Sequence, residues 1–156
     1  MKRILIALDY GPTAQKVAET GFSLGGYPHS ETTLLHVIVN PSYYASTVYD
    51  PMMAFGGYTN LDFLAPDITD DLKNTSLDFL EKCKRHLGDD SVKIMVKEGS
   101  IAESILEAAL ELNADIVVMG SHSRRWLEDI LLGSITEHVL HHTVAPLLII
   151  PTKKQE

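Results

Sequence analysis

Short apolar runs and longer helical stripes alternate along this chain. Ile4 to Leu8 is nearly unbroken apolar sequence ending in Asp9, the pattern of a strand buried on both faces. Gly11-Pro12-Thr13 then opens a helix with Ala14, Val17, Ala18, Gly21 and Phe22 on one face, and Gly25-Gly26 stops it. Thr32 to Val39 predicts a second strand. Asp67 caps a predicted second helix whose stripe is Leu72, Phe79, Leu80, Cys83 and Leu87. Val92 to Val96 alternates as a shorter, edge-like strand. Ser100-Ile101-Ala102-Glu103 has the spacing of a capping box, followed by Ile101, Ile105, Ala108, Ala109 and Leu112 on one face. Ala114 to Met119 predicts a fourth strand. Ser134-Ile135-Thr136-Glu137 repeats the capping-box spacing before a last helix, and Leu147 to Ile150, between Pro146 and Pro151, predicts a fifth strand.

Strands alternating with helices in this way predict an α/β domain with a five-stranded, mainly parallel sheet and helices on both faces, Rossmann-like in plan. Right-handed crossovers give the strand order 3-2-1-4-5, with the two most continuously apolar strands at the centre. Ligands of such sheets sit at the carboxyl ends of the strands where the winding reverses, here between strands one and four. The segments that follow Asp9 and Gly120 face that crevice. A single domain over 1–156 is expected, with a long irregular insertion at 40–66. The insertion carries Tyr43, Tyr44, Tyr49, Met52, Met53, Phe55, Tyr58 and Phe63, too apolar a set for a solvated linker.

Composition narrows the function classes. The 156 residues carry 13 Lys and Arg against 21 Asp and Glu, a formal charge of −8. That balance offers no basic surface for tracking phosphates, so neither nucleic acid nor an anionic membrane is an expected partner. Cys83 has no second cysteine to pair with and reads as a small core residue in a reducing, cytoplasmic setting. No apolar run reaches the roughly 18 residues of a membrane span.

The chemistry concentrates between Met119 and Glu137. Gly120 ends a buried strand at the crevice, where a missing side chain lets a ligand approach the backbone. Gly133-Ser134 opens the last helix, whose free N–H groups and dipole suit phosphate oxygens. Ser134 reads either as an N-cap or as a hydroxyl donor to phosphate. Arg124 and Arg125 lie between the two glycine sites, within reach of a polyphosphate. No GxxxxGK[ST], GxGxxG or G-x-S-x-G occurs, which removes the P-loop, dinucleotide and nucleophile-elbow readings. His138 and His142 are i,i+4 with His141 beside them, but no third ligand completes a metal set, and they read as surface residues. His36, inside an apolar strand, reads as a hydrogen-bonded core residue rather than a catalyst.

On these residues the chain resembles the universal stress protein family. Nucleotide-binding members carry a glycine, two residues, a second glycine, nine residues, then Gly-Ser or Gly-Thr; Gly120 and Gly133-Ser134 match at that spacing. Ile4-Leu5-Ile6-Ala7-Leu8-Asp9, Leu35-His36-Val37 and Pro146-Leu147-Leu148-Ile149-Ile150-Pro151 extend the resemblance over the whole chain outside the insertion. The second motif glycine is Ser123 here, a change worth about 1 kcal/mol where that position needs positive φ. The resemblance implies adenine contacts at the Val37 backbone and around Ala7, Leu8 and Met119. It places Asp9 at the ribose or at a phosphate-bound Mg²⁺. The phosphates would lie among Gly120, Ser123, Arg124, Gly133, Ser134 and Ile135. For Asp9 a plainer role, capping the first helix near Gly11, stands beside the implied one.

The implied function is an ATP-binding module acting in stress response or signalling through nucleotide-dependent conformation and partner binding. Two other classes stand beside it: a slow Mg²⁺-dependent ATPase, and a nucleotide-free interaction protein in which Ser123 closes the phosphate site. A homodimer through the C-terminal strand is implied as well, and the apolar edge at Leu147 to Ile150 gives it a physical reason.

Overall fold

The computed structural model describes residues 1–26, 28–39, 61–121 and 134–152, with residues 61–69 described as backbone alone. The elements are β1 (Lys2–Ala7), α1 (Ala14–Ser23), β2 (Ser30–Ile38), α2 (Leu61–Leu87), β3 (Lys93–Glu98), α3 (Ile101–Glu111), β4 (Ile116–Gly120), α4 (Ser134–His142) and β5 (Leu147–Ile150). The five strands form one sheet in the order β3-β2-β1-β4-β5. Every neighbouring pair is parallel. The expected α/β fold and strand order are therefore those observed.

Strand alternation divides the core into two layers. Ile4, Ile6, Leu34, Val118 and Ile150 point to one face, where Ala14, Val17 and Ala18 of α1 and Leu80 and Cys83 of α2 cover them. Leu5, Leu35, Val37, Val117 and Met119 point to the other, under Ala102, Ile105, Ala108 and Ala109 of α3 and Val139 of α4. Both faces of the central strands are thus buried, which is why β1 and β4 read as unbroken apolar runs. Among the described residues, no helix is long and apolar enough to cross a membrane.

Three local expectations change. Asp67 does not start a helix, because α2 is already helical from Leu61; a capping side chain marks a start only where the preceding backbone leaves the helix. The expected irregular insertion at 40–66 accordingly gives way to helical backbone over its last residues, and residues 40–60 lie outside the described set. Ser100 has the extended backbone of an N-cap, φ −71° and ψ 130°, but makes no side-chain cap bond. Glu103, its expected partner in the capping box, instead places Oε1 3.0 Å from His138 Nε2 and ties α3 to α4. At the second box, Ser134 is the first described residue of α4, and residues 122–133 before it lie outside the described set.

The two sheet edges differ in character. β3 carries Lys93, 2.6 Å from Glu31, and Lys97, 2.7 Å from Glu111 and 3.6 Å from Glu107. The opposite edge, β5, is Leu-Leu-Ile-Ile, with only Ile150 fully buried.

Candidate functional site

β1 leaves the sheet before β2 does. The last register pair between them is Ala7 with Leu35, and the last backbone bond across them runs from Leu8 N–H to Leu35 O at 2.8 Å. Val37, two residues on, turns its peptide edge to the same side with no β1 residue opposite. Asp9 closes the turn that carries the chain away: its Oδ1 accepts the Gly11 N–H at 2.9 Å. A Cβ at Gly11 would stand 2.8 Å from Asp9 Oδ1, so a side chain there would have to shift this carboxylate. The helix cap itself is Thr13, without a side-chain bond, so Asp9 braces the turn rather than capping α1.

A cavity of about 380 Å³ opens at these carboxyl ends, within the roughly 300–1,000 Å³ range of small-molecule sites. Its floor is Ala7, Leu8 and Asp9 after β1, Val37 to Val39 at β2, and Met119 and Gly120 at β4. Ile101, Ile105, Ile135 and Thr136 wall the α3–α4 side; Thr13, Ala14, Val17, Leu72 and Ser76 wall the α1–α2 side. The lining is mostly apolar, with Asp9 its one carboxylate and no Lys or Arg among the described lining residues.

Of the residues expected at the site, Ala7, Leu8, Asp9, Val37, Met119, Gly120 and Ile135 come together around this cavity. Ser134 stands at the first described position of α4, directly before Ile135. Ser123, Arg124, Arg125 and Gly133 lie outside the described residues. Gly120 has a packing reason as well: a Cβ there would meet Thr152 Cγ2 at 2.8 Å and Val17 Cγ2 at 3.4 Å. The strand ends beside it are laced together, with Thr136 Oγ1 donating to Gly120 O at 3.3 Å and Thr152 N–H donating to Ser121 Oγ at 3.2 Å.

Tyr10, Thr13, Val39, Ser76, Thr136 and Thr152 also line the cavity and were not expected there. Val39 directly follows β2 and Thr152 stands two residues past the end of β5, so strand ends alone would have pointed to them. Tyr10 and Ser76 carry no such signal, because they meet only through the packing of α2. The Tyr10 hydroxyl lies 2.7 Å from Ser76 Oγ, and Ser76 donates to Leu72 O at 2.8 Å.

His36 is buried as expected, with Nδ1 2.8 Å from Leu8 O. Burial holds its pKa below the usual histidine value, against the opposing pull of the Leu8 bond and the Asp9 charge. The Tyr10 ring lies 4.3 Å from the imidazole and the Phe79 ring 5.7 Å from it. Among the α4 histidines, His138 and His142 stack at 4.3 Å. The described residues contain no group of three or more metal-ligating side chains placed to share an ion.

The universal stress protein family model matches residues 1–151. Universal stress protein MJ0577 of Methanocaldococcus jannaschii is 26% identical over 155 residues, covering 97% of this chain and 96% of that protein. Its solved structure superposes with a TM-score of 0.78 at 26% identity, over 99% of this chain and 98% of the other. Universal stress protein UspA from Lactobacillus plantarum shares the fold at a TM-score of 0.75 and 18% identity, over 96% and 97% of the two chains. A universal stress protein solved in complex with cAMP shares it at 0.63 and 14%, over 97% and 98%. The chain belongs to the universal stress protein family.

Proposed function

We propose that this chain is an ATP-binding module that works in stress response or signalling through nucleotide-dependent conformation and partner binding. The observation that carries the reading is the mostly apolar cavity at the carboxyl ends of β1, β2 and β4, with the Val37 peptide edge left open by the departure of β1. A purine needs that combination: apolar walls for its faces and backbone N–H and C=O groups for its edge. In this reading Ala7, Leu8, Val37 and Met119 surround the adenine, and Asp9 faces the ribose or a phosphate-bound Mg²⁺. Gly120, Ser123, Arg124, Gly133, Ser134 and Ile135 take the phosphates, supported by the start of α4. A distant fold relative was solved in complex with cAMP, which supports a nucleotide as the ligand class.

Asp9 fits a metal in a limited way. One oxygen braces the Gly11 N–H, and no described Lys or Arg is ion-paired with the carboxylate, so a hard cation would be held by the other oxygen, phosphate and water. The slow-ATPase reading asks more, because Asp9 is the one carboxylate on the described lining and it already serves the turn. In the nucleotide-free reading, Ser123 closes the phosphate site.

Calorimetry with ATP and Mg²⁺, together with mass spectrometry of a denatured extract, tests the proposal. Saturable binding of one ATP per chain is expected. Ser123→Gly tightens it by up to about tenfold, the worth of roughly 1.4 kcal/mol, and Gly133→Val abolishes it. No binding at millimolar ATP overturns both the binding module and the ATPase.

A further inference from the structure

We propose that His36 reads the nucleoside: its Nε2 accepts a hydrogen bond from an N–H or O–H donor of the bound base or sugar, a role that rests on the nucleotide-binding reading above. The argument begins at the other ring nitrogen. Nδ1 lies 2.8 Å from the carbonyl oxygen of Leu8, and a carbonyl has no hydrogen to give, so Nδ1 carries the proton and donates. A neutral imidazole that donates from Nδ1 has a lone pair on Nε2. Burial keeps the ring neutral at ordinary pH.

The ring has no freedom to turn that lone pair elsewhere. Leu8 fixes one edge, and the Tyr10 and Phe79 rings stand 4.3 Å and 5.7 Å away. Nε2 takes no partner among the described residues. His36 is 6% exposed and is one of the residues that line the cavity. An acceptor on a mostly apolar wall selects by donor position, because a ligand lacking the donor leaves it unpaired. Ionised phosphates have no donor to offer. The partner is therefore an exocyclic amine or a ribose hydroxyl.

Two substitutions separate this role from a structural one. His36→Asn keeps an amide N–H where Nδ1 serves Leu8 but removes the distal acceptor. His36→Gln restores an oxygen near the Nε2 position while giving up the Leu8 bond. His36→Asn should retain its Tm and lose ATP affinity by about tenfold or more, the usual cost of an unpaired buried donor. His36→Gln should lose Tm and keep more of the affinity.

In the wild type, the Nε2 nitrogen-15 resonance should be that of an unprotonated nitrogen and should move on saturation with ATP. Among 2′-deoxy-ATP, 3′-deoxy-ATP and inosine triphosphate, one should lose the same factor against the wild type and nothing against His36→Asn. That analogue tells a sugar donor from a base donor. Equal ATP affinity of the wild type and His36→Asn, or an Nε2 resonance that stays still at saturation, overturns the role of His36 alone. No ATP binding to the wild type overturns the nucleotide reading and this role with it.

Discussion

The buried His36 links proton binding to folding. In the unfolded chain the imidazole titrates near its ordinary 6.5, while in the folded protein burial sets the pKa lower. Between those two values the unfolded state binds more protons, so stability rises with pH across that window. The contribution of His36 is complete above pH 6.5 and drains as pH falls through 6.5 toward the folded value. The slope reaches at most about 1.4 kcal/mol per pH unit. Urea unfolding of the wild type and His36→Asn at a series of pH values checks this, since the other histidines cancel in the difference. A wild-type curve parallel to that of His36→Asn would remove the linkage. Cys83 shows the same burial effect with the opposite sign: its thiol is pushed up, which keeps it protonated and unreactive.

At the scale of elements, α1 sits closer to the sheet than most side chains allow. A Cβ on Gly21 would lie 2.8 Å from Ile6 Cδ1 and 3.1 Å from Val118 Cγ1, where β1 and β4 run side by side. Gly21→Ala should therefore destabilise by about 1–3 kcal/mol through overpacking, despite the roughly 1 kcal/mol that alanine gains over glycine within a helix. Chemical denaturation reads the difference, and a stabilised variant would mean that α1 lifts away at little cost. Elements of this kind were legible in the chain when burial alone defined them. Ile4 to Leu8 and Leu147 to Ile150 read as strands because both the run and its ends are local. The start of α2 was not legible, because Asp67 carries a cap signal whether or not the preceding backbone is helical. Glu103 is similar: its spacing from Ser100 is local, but its partner His138 arrives from another helix. The site divides the same way. Asp9, Val37 and Gly120 follow from strand ends, whereas the meeting of Tyr10 with Ser76 depends on how α2 packs.

For the whole molecule, we propose that two copies pair through β5. Its Leu-Leu-Ile-Ile edge is unpartnered among the described residues, and an open apolar edge is a template for another strand. Light scattering across a range of concentrations should give twice the chain mass, and a monomer at every concentration would overturn the pairing. The formal charge of −8 fits this arrangement, since the acidic groups repel unspecific neighbours while an apolar edge does not.

The unlike edges of the sheet also set how far such growth can run. Lysines tied to glutamates on β3 leave that margin a poor place to add a strand. A sheet with one receptive margin behaves like a reagent with a single reactive end. Joining two such ends face to face consumes both, and the product is terminated rather than extended. Were β3 receptive too, head-to-tail addition could continue into a fibre.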